Sequence, residues 1–312
     1  MLLIFGAAAC RGQDGSGRTA AFWNVENFFD THHDTLKADS AFTPTGENHW
    51  TAKRYAVKRN NIYKVIAAMR QPAIVGLAEV ENDRVLADLC GFTPLRKYGY
   101  RYIHFESPDR RGVDCALLYR EGLFRIFEAM PIRVSDSAAG FCTRDILQVG
   151  GVLAEGGDSC FIFVNHWPSK LGGAAADRHR LEIAQRLLCT MDSVQEAHPG
   201  AIVLAVGDFN ATADEEAVSQ GLGFEGRCRN AQGFYSLTCG MPPGTGSYKY
   251  RDSWSCIDQA FANRELEAEI FAPEFMLIDD TRYMGKKLFR TYIGMRYQGG
   301  YSDHLPLIVR IR

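Results

Sequence analysis

Six apolar residues at positions 201–206 run straight into Gly207-Asp208-Phe209-Asn210. A short apolar run rich in β-branched side chains reads as a strand buried on both faces. The mirror image lies near the C-terminus, where Ser302-Asp303-His304 directly precedes Leu305-Pro306-Leu307-Ile308-Val309. Two such runs commit the chain to buried strands whose ends carry acids, amides and imidazoles. Burying those groups unpaired is costly, so their massing at strand ends calls for a ligand that they share.

The rest of the chain alternates strand, loop and helix. Positions 20–29 read as a strand with a polar end at Asn24, Glu26 and Asn27. Positions 53–69 read as a helix, with Tyr55, Ile62, Val65, Ile66 and Met69 near helical spacing and Gln71-Pro72 as its stop. A short apolar strand at 73–77 delivers Glu79, and 83–90 is a short helix. Strands follow at 100–105, 114–119 and 123–127. A hairpin joins 145–153 to 160–164 around Glu155-Gly156-Gly157-Asp158. The clearest helix is 177–196, with Leu181, Ala184, Leu188, Met191 and Val194 as its core stripe and Pro199-Gly200 at its end. Positions 248–262 hold one or two strands, and 305–311 the last. Strands outnumber helices, which predicts an α/β chain of the α+β kind, two packed sheets flanked by helices.

No repeat, low-complexity tract or linker divides the 312 residues, so 20–312 is expected to be one domain. The first ten residues are apolar and end in small residues before Cys10. They are too short to span a bilayer as a helix. They resemble a bacterial lipoprotein signal, with 1–19 as leader and flexible tether. The expectation is an exported protein, periplasmic or on the outer surface, tethered to a membrane through a lipid on Cys10.

None of the nine cysteines stands in a CxxC spacing, which argues against zinc. Cys115, Cys160 and Cys189 sit among apolar residues and read as buried. Cys228 and Cys239 flank a Gly-rich loop and can pair in an oxidising compartment. A formal charge of −2 and a pI near 6.5 disfavour a non-specific duplex binder.

Polar groups recur beside apolar strands at Asn24, Glu79, Asp114, His166, Asp208, Asn210, Asp258, Asp303 and His304. Loops at strand ends, held by a rigid scaffold, are where sites are built. The set offers hard oxygen donors and imidazoles but no thiolate cluster, which suits Mg²⁺, Mn²⁺ or Ca²⁺. Seven motifs run in order from position 20 to 312. They are Trp23-Asn24-Val25-Glu26-Asn27, the Glu79 segment, Arg111-Gly112-Val113-Asp114, Asn165-His166-Trp167-Pro168-Ser169, Gly207-Asp208-Phe209-Asn210, Ile257-Asp258-Gln259 and Ser302-Asp303-His304.

Together they resemble the endonuclease/exonuclease/phosphatase family, the DNase I-like metal-dependent phosphoesterases. The resemblance implies a four-layer αββα sandwich of two mostly antiparallel sheets, with the site at one end of both. It implies Glu79 as main metal ligand, assisted by Asn24 and Asp303. Asp208 would orient or deprotonate the attacking water, and Asn210 would position water or phosphate. His304 would meet the phosphate, held in one tautomer by Asp258. His166 would be a second imidazole on the phosphate and a candidate general acid, oriented by Asp114. Asn165 would fix the loop that carries His166.

The segment before Ser302 crowds Arg282, Lys286, Lys287, Arg290 and Arg296 among Tyr283, Phe289, Tyr292 and Tyr297. Two readings stand: a cleft wall with cations for phosphate and aromatics for stacking, or a solvated loop whose aromatics pack on the domain. Lys170 and Arg178 can add phosphate contacts, or Arg178 and Arg180 can be the exposed face of a helix. The leading expectation is a divalent-metal-dependent phosphodiesterase or endonuclease-like hydrolase, with nucleic acid among its candidate substrates. The alternatives are a phosphomonoesterase of a lipid, nucleotide or inositol phosphate, or a non-catalytic binding module. No obligate protein partner is implied, and a monomer is expected. No amphipathic membrane-docking helix or exposed hydrophobic hairpin stands out.

Overall fold

The structure, a computed structural model, describes residues 16–135 and 140–312. The expected lipid site at Cys10 lies outside the described residues. Twelve strands build two six-stranded sheets. The first sheet takes β1 (Thr19–Phe28), β2 (Ile74–Val80), β3 (Tyr100–His104) and β4 (Asp114–Arg120). The second takes β5 (Phe124–Ile132), β6 (Ile146–Leu153), β7 (Ser159–His166), β8 (Ile202–Asp208), β9 (Tyr235–Ser236) and β10 (Asp258–Ala262). The chain then returns to the first sheet with β11 (Glu267–Ile270) and β12 (Leu307–Arg310). The orders are β11-β12-β1-β2-β4-β3 and β5-β6-β7-β8-β10-β9.

Each sheet is antiparallel except for one central pair. β1 runs parallel to β2, and β7 runs parallel to β8. A parallel neighbour needs a crossover, and helices α1 (Ala52–Ala68) and α3 (Gly173–Ala197) supply the two. Helix α2 (Asp83–Gly91) follows β2, its first turn capped by the Asn82 side chain accepting from Val85 N at 3.1 Å. The two crossovers lie on opposite outer faces, which yields the four-layer αββα order.

Alternation along the strands sorts the core into three layers. Phe22, Ile74, Leu117, Ile162, Val164, Leu204, Val206 and Val309 face inward between the sheets. Trp23, Val75 and Leu77 face outward onto Ile62, Val65, Leu86 and Leu89 of the first two helices. Phe161, Phe163, Val203 and Ala205 face outward onto Ile183, Leu187 and Met191 of α3. The sheets approach closely at Gly76, where a Cβ would stand 3.1 and 3.2 Å from the two γ carbons of Val164.

Two details of the sequence reading are corrected. Helix α3 begins at Gly173, and its buried stripe is Ile183, Ala184, Leu187, Met191 and Val194. Leu181 and Leu188 are only half-buried, because the helix turns its Ile183–Leu187 line onto the sheet. Cys189 is exposed for the same reason, whereas Cys115 and Cys160 are buried. Cys228 and Cys239 form a disulfide beside β9.

Candidate active site

The inward parity of the strands does not stop at the last apolar layer. Asn24 continues the Ala20–Phe22 series, His166 the Ile162–Val164 series and Asp208 the Leu204–Val206 series. Asp258 opens β10 opposite Asp208, in register with it. The next layer of the inter-sheet core is therefore polar. It lies at the C-terminal ends of both central parallel pairs, where α/β sheets characteristically bind ligands.

Glu79 would miss this layer in a regular strand, since Val75 and Leu77 point outward. The β2 register shifts between Ala78 and Val80, and Glu79 takes φ 64°. The bulge re-aims its carboxylate inward, and Val80 resumes the outward face. β1 shifts likewise between Asn24 and Phe28, with Glu26 and Asn27 at φ 55° and 54°.

The side chains converge as follows. His304 Nδ1 lies 2.7 Å from Asp258 Oδ2, and its Nε2 lies 3.8 Å from Asp208 Oδ2. His166 Nε2 lies 3.7 Å from the same Asp208 oxygen and 3.9 Å from Glu79 Oε1. Asn24 Nδ2 donates to Asp208 Oδ2 at 3.1 Å, and Asn24 Oδ1 accepts from Glu26 N at 3.0 Å. Glu79 Oε2 accepts from Asn27 N at 2.8 Å.

Burial sets the charges. Burial alone would keep His304 neutral, but the facing carboxylates of Asp258 and Asp208 outweigh it and raise its pKa well above the ordinary value. His166 has no facing aspartate within hydrogen-bond reach. Burial, with the cations of Arg144, Arg111 and His304 nearby, holds its pKa well below the ordinary value. Burial pushes the Asp208 carboxyl up to about 7, against the pull of His304 and with the push of Asp258. One imidazole is thus a cation and the other neutral, on either side of one shared carboxylate.

Several predicted residues make contacts other than those expected. Asp114 does not orient His166. It opens β4 beside the edge strand, where Oδ2 lies 3.3 Å from His104 Nε2 and Oδ1 accepts from Ser107 N at 3.1 Å. His166 Nδ1 is buried with no hydrogen-bond partner. Arg178 is exposed on α3, and none of its hydrogen bonds or ion pairs among the described residues reaches the site. Lys170 pairs with Glu215. Asn210 donates from Nδ2 to Trp167 O at 3.0 Å, which ties the Asp208 loop to the His166 loop. Asp303 Oδ2 accepts from Arg290 at 2.7 Å.

Sequence reading also missed three arginines. Arg180 is buried, not exposed, and its Nη1 donates to Pro168 O at 2.7 Å. Arg144 is buried too, donating to Trp167 O at 2.9 Å and to Asp109 at 3.2 Å. These two, with Asn165 Oδ1 accepting from Trp167 Nε1 at 3.1 Å, lock the loop that follows β7. Arg111 lies in the site itself, half exposed, 2.8 Å from Asn27 Oδ1 and 3.6 Å from Glu79 Oε1. Its motif was visible in the sequence, but the weight there fell on Asp114.

The basic segment forms one wall. Thr291 N donates to Glu26 Oε2 at 2.7 Å, and Lys58 Nζ donates to Thr291 Oγ1 at 2.6 Å and Tyr301 O at 2.7 Å. Asn61 Nδ2 holds Gly300 O at 2.9 Å. The aromatics pack inward: Tyr292 against Phe42 and Trp50, Tyr297 against Tyr292 with Arg54 over its ring, Phe289 against Tyr301.

With this geometry in hand, the sequence matches the endonuclease/exonuclease/phosphatase family over residues 19–312. The chain belongs to that family. It is a phosphoesterase, and the family works with a divalent metal. Solved structures share the fold throughout. The human Nocturnin catalytic domain with bound sulfate is 18% identical, covers 93% of this chain and 92% of its own, and has TM-score 0.58. A mannosyl-6-phosphatase of Bacteroides thetaiotaomicron is 18% identical over 93% and 98%, with TM-score 0.59. TDP2 of D. rerio, complexed with a single-strand DNA product, is 17% identical over 93% and 97%, with TM-score 0.57. Among curated protein sequences none matches significantly.

The residues fit the family's metal. Ligand atoms of Asp208, Asp258 and His304 lie within 4.8 Å of one another, but His304 spends Nδ1 on Asp258 and is a cation. The oxygen donors of Glu79 and Asn24 are the better set for a hard divalent ion. Asp258 Oδ1, buried without a partner, adds an acceptor to the same layer.

Proposed function

We propose that this family member hydrolyses phosphate esters with Mg²⁺, using Asp208 to orient and deprotonate water. The observation that carries the reading is the convergence of two buried imidazoles and the Asn24 amide on one Asp208 oxygen, with only His304 backed by a second carboxylate. Pairs of titratable groups pushed apart by their surroundings are how sites divide acid and base work. Asp208, with its pKa near 7, is poised to take a proton from water. His304, a cation steadied by Asp258, neutralises charge that develops on the phosphoryl oxygens. His166, held neutral by burial, can offer Nε2 to the phosphate as an uncharged donor, which leaves His304 as the charged one. Glu79 and Asn24 would hold the metal, which supplies Lewis-acid stabilisation of the phosphoryl group and leaving oxygen. Arg111 adds a fork of donors to the phosphate.

A second reading, a phosphomonoesterase, is favoured by the wall. Tyr292 is buried, Tyr297 lies against it under Arg54, and Phe289 lies against Tyr301, so fewer ring faces are free for bases than a nucleic-acid groove would show. Among structures of this fold, one is a mannosyl-6-phosphatase and another holds single-strand DNA, so a substrate panel decides between ester classes. The purified protein should cleave a generic phosphoester with Mg²⁺ and stop with chelator. Asp208→Ala and His304→Ala should each lose on the order of a thousandfold in kcat. Near wild-type turnover in either variant would sink the assigned roles.

A further inference from the structure

Two polar residues interrupt the buried stripe of α1. Tyr55, Lys58, Ile62 and Val65 follow one another at helical spacing, and Lys58 is 1% exposed. Asn61, next to Ile62, is buried as well. A lysine is almost never this buried unless its charge is paired, and α1 itself carries no acid. The partners must come from other elements.

They come from the side of the site where Asn24 and Glu79 stand. The Lys58 ammonium faces the carboxylates of Glu26, Asp303 and Glu79. Burial lowers its pKa to about 8 against the pull of those acids, so it is a cation at pH 7. Glu26 is buried too, and Arg290 lies near it while pairing with Asp303. Lys58, Glu26, Arg290 and Asp303 thus form one group of opposed charges.

From this group two chains of hydrogen bonds run to the side chains of the site. In the first, Glu26 accepts from Thr291 N and Tyr292 N, and its own N donates to Asn24 Oδ1. In the second, Lys58 and Asn61 hold the carbonyls of Tyr301, Gly300 and Gly299, the three residues before Ser302. Ser302 Oγ then donates to Asn24 O at 2.7 Å and accepts from His304 N at 3.0 Å. Lys58 stands where the two chains meet. Without its ammonium the Tyr301 carbonyl and the Thr291 hydroxyl lose a donor, and buried Glu26 loses a facing cation.

We propose that Lys58 is a positioning residue of the site. From α1 it sets the places of Asn24 and His304 and takes no part in contacting substrate. Its effect on turnover rests on the hydrolytic reading, but its effect on the placement of His304 does not.

The test compares the whole protein with Lys58→Met, with Thr291→Val and with Leu187→Ala. The last is a control that opens a cavity between α3 and the second sheet, away from α1. Each is studied at a temperature where circular dichroism shows it folded. One readout is kcat and KM on a generic phosphoester with Mg²⁺. The other is the proton resonance of His304 Nδ1, recorded without metal or substrate and identified by its loss in His304→Gln. Lys58→Met should lower kcat by roughly thirtyfold or more with KM within about threefold of wild type, and should shift or broaden the resonance. Thr291→Val should do both to a smaller degree, and it decides the matter alone if Lys58→Met does not fold. Leu187→Ala should keep the rate and the resonance. A folded Lys58→Met with wild-type kcat or an unmoved resonance overturns the proposal. So does a control that loses as much turnover as Lys58→Met, since Lys58 would then serve stability alone. A wild type with no turnover counts against the hydrolytic reading only, because the resonance still reports the place of His304.

Discussion

His166 and His304 show how far a residue's chemistry depends on what faces it. Both imidazoles are buried and both stand near Asp208, yet only His304 has a carboxylate, Asp258 at 2.7 Å, within hydrogen-bond reach. The same burial raises Asp208 to about 7, and this has two consequences with different signs. If Asp208 must be deprotonated to work, turnover falls as pH drops through about 7, and bound metal moves that limb to lower pH. A pH–rate profile at saturating Mg²⁺ checks it. For stability, a carboxyl raised from 3.8 binds its proton more tightly folded than unfolded, so stability is lost as pH rises from about 4 to 7. Asp208→Asn should therefore melt a few degrees higher than wild type at pH 8 in chelator, and at about the same temperature near pH 4. At the mouth, Arg111→Met should raise KM and cut kcat/KM by roughly ten- to a hundredfold without lowering the melting temperature, because its partners are an amide and a distant carboxylate. The members of this layer were legible in the sequence, since each ends or opens an apolar run. Their pairings were not: Asp114 and His166 belong to different sheets, and chain order carries no information about which loop of one sheet meets which loop of the other.

At the scale of elements, the glycine of Gly207-Asp208-Phe209-Asn210 has a mechanical cause. Gly207 is in register with Asn165, and a Cβ on it would stand 2.5 Å from both the Cβ and the carbonyl oxygen of Asn165. The parallel strands that carry His166 and Asp208 can lie side by side only if that position is bare. Gly207→Ala should push β7 and β8 apart, costing about 1–3 kcal/mol of stability and a larger share of activity, since both groups move together. Chemical denaturation and single-turnover rates on the same preparation separate the two losses. Strand identities were readable from alternation, and so was the two-sheet class. The bulge at Glu79 was not, because nothing in Leu77-Ala78-Glu79-Val80 marks the residue as left-handed. Nor was the exact buried line of α3, which shares Ala184, Met191 and Val194 with the expected stripe but takes Ile183 and Leu187 in place of Leu181 and Leu188. The sheet, not the helix, chooses between them, and it buries Arg180 in doing so.

At the scale of the molecule, the site belongs to neither sheet. Asn24, Glu79 and His304 approach from the first, and His166, Asp208 and Asp258 from the second. A ligand that binds across the seam stabilises the closed sandwich, so adding Mg²⁺ should raise the melting temperature and chelator should reverse it. Reducing Cys228–Cys239, which closes a loop of 11 residues' separation, should cost about 2–3 kcal/mol on chain-entropy grounds. That loss is read from urea midpoints with and without reductant. β1, the first strand, has β2 on one side and β12 on the other, Thr19 meeting Arg310. During synthesis on a ribosome, that second neighbour arrives nearly three hundred residues after β1 itself. Until then one edge of the central strand stands open, Trp23 lacks its His304 carbonyl acceptor, and no cation completes the polar layer. The site is therefore closed only when its last strand is added, and a product cut before Ser302 would carry most of the scaffold and five of the site's side chains without the His304 imidazole that faces Asp208 and Asp258.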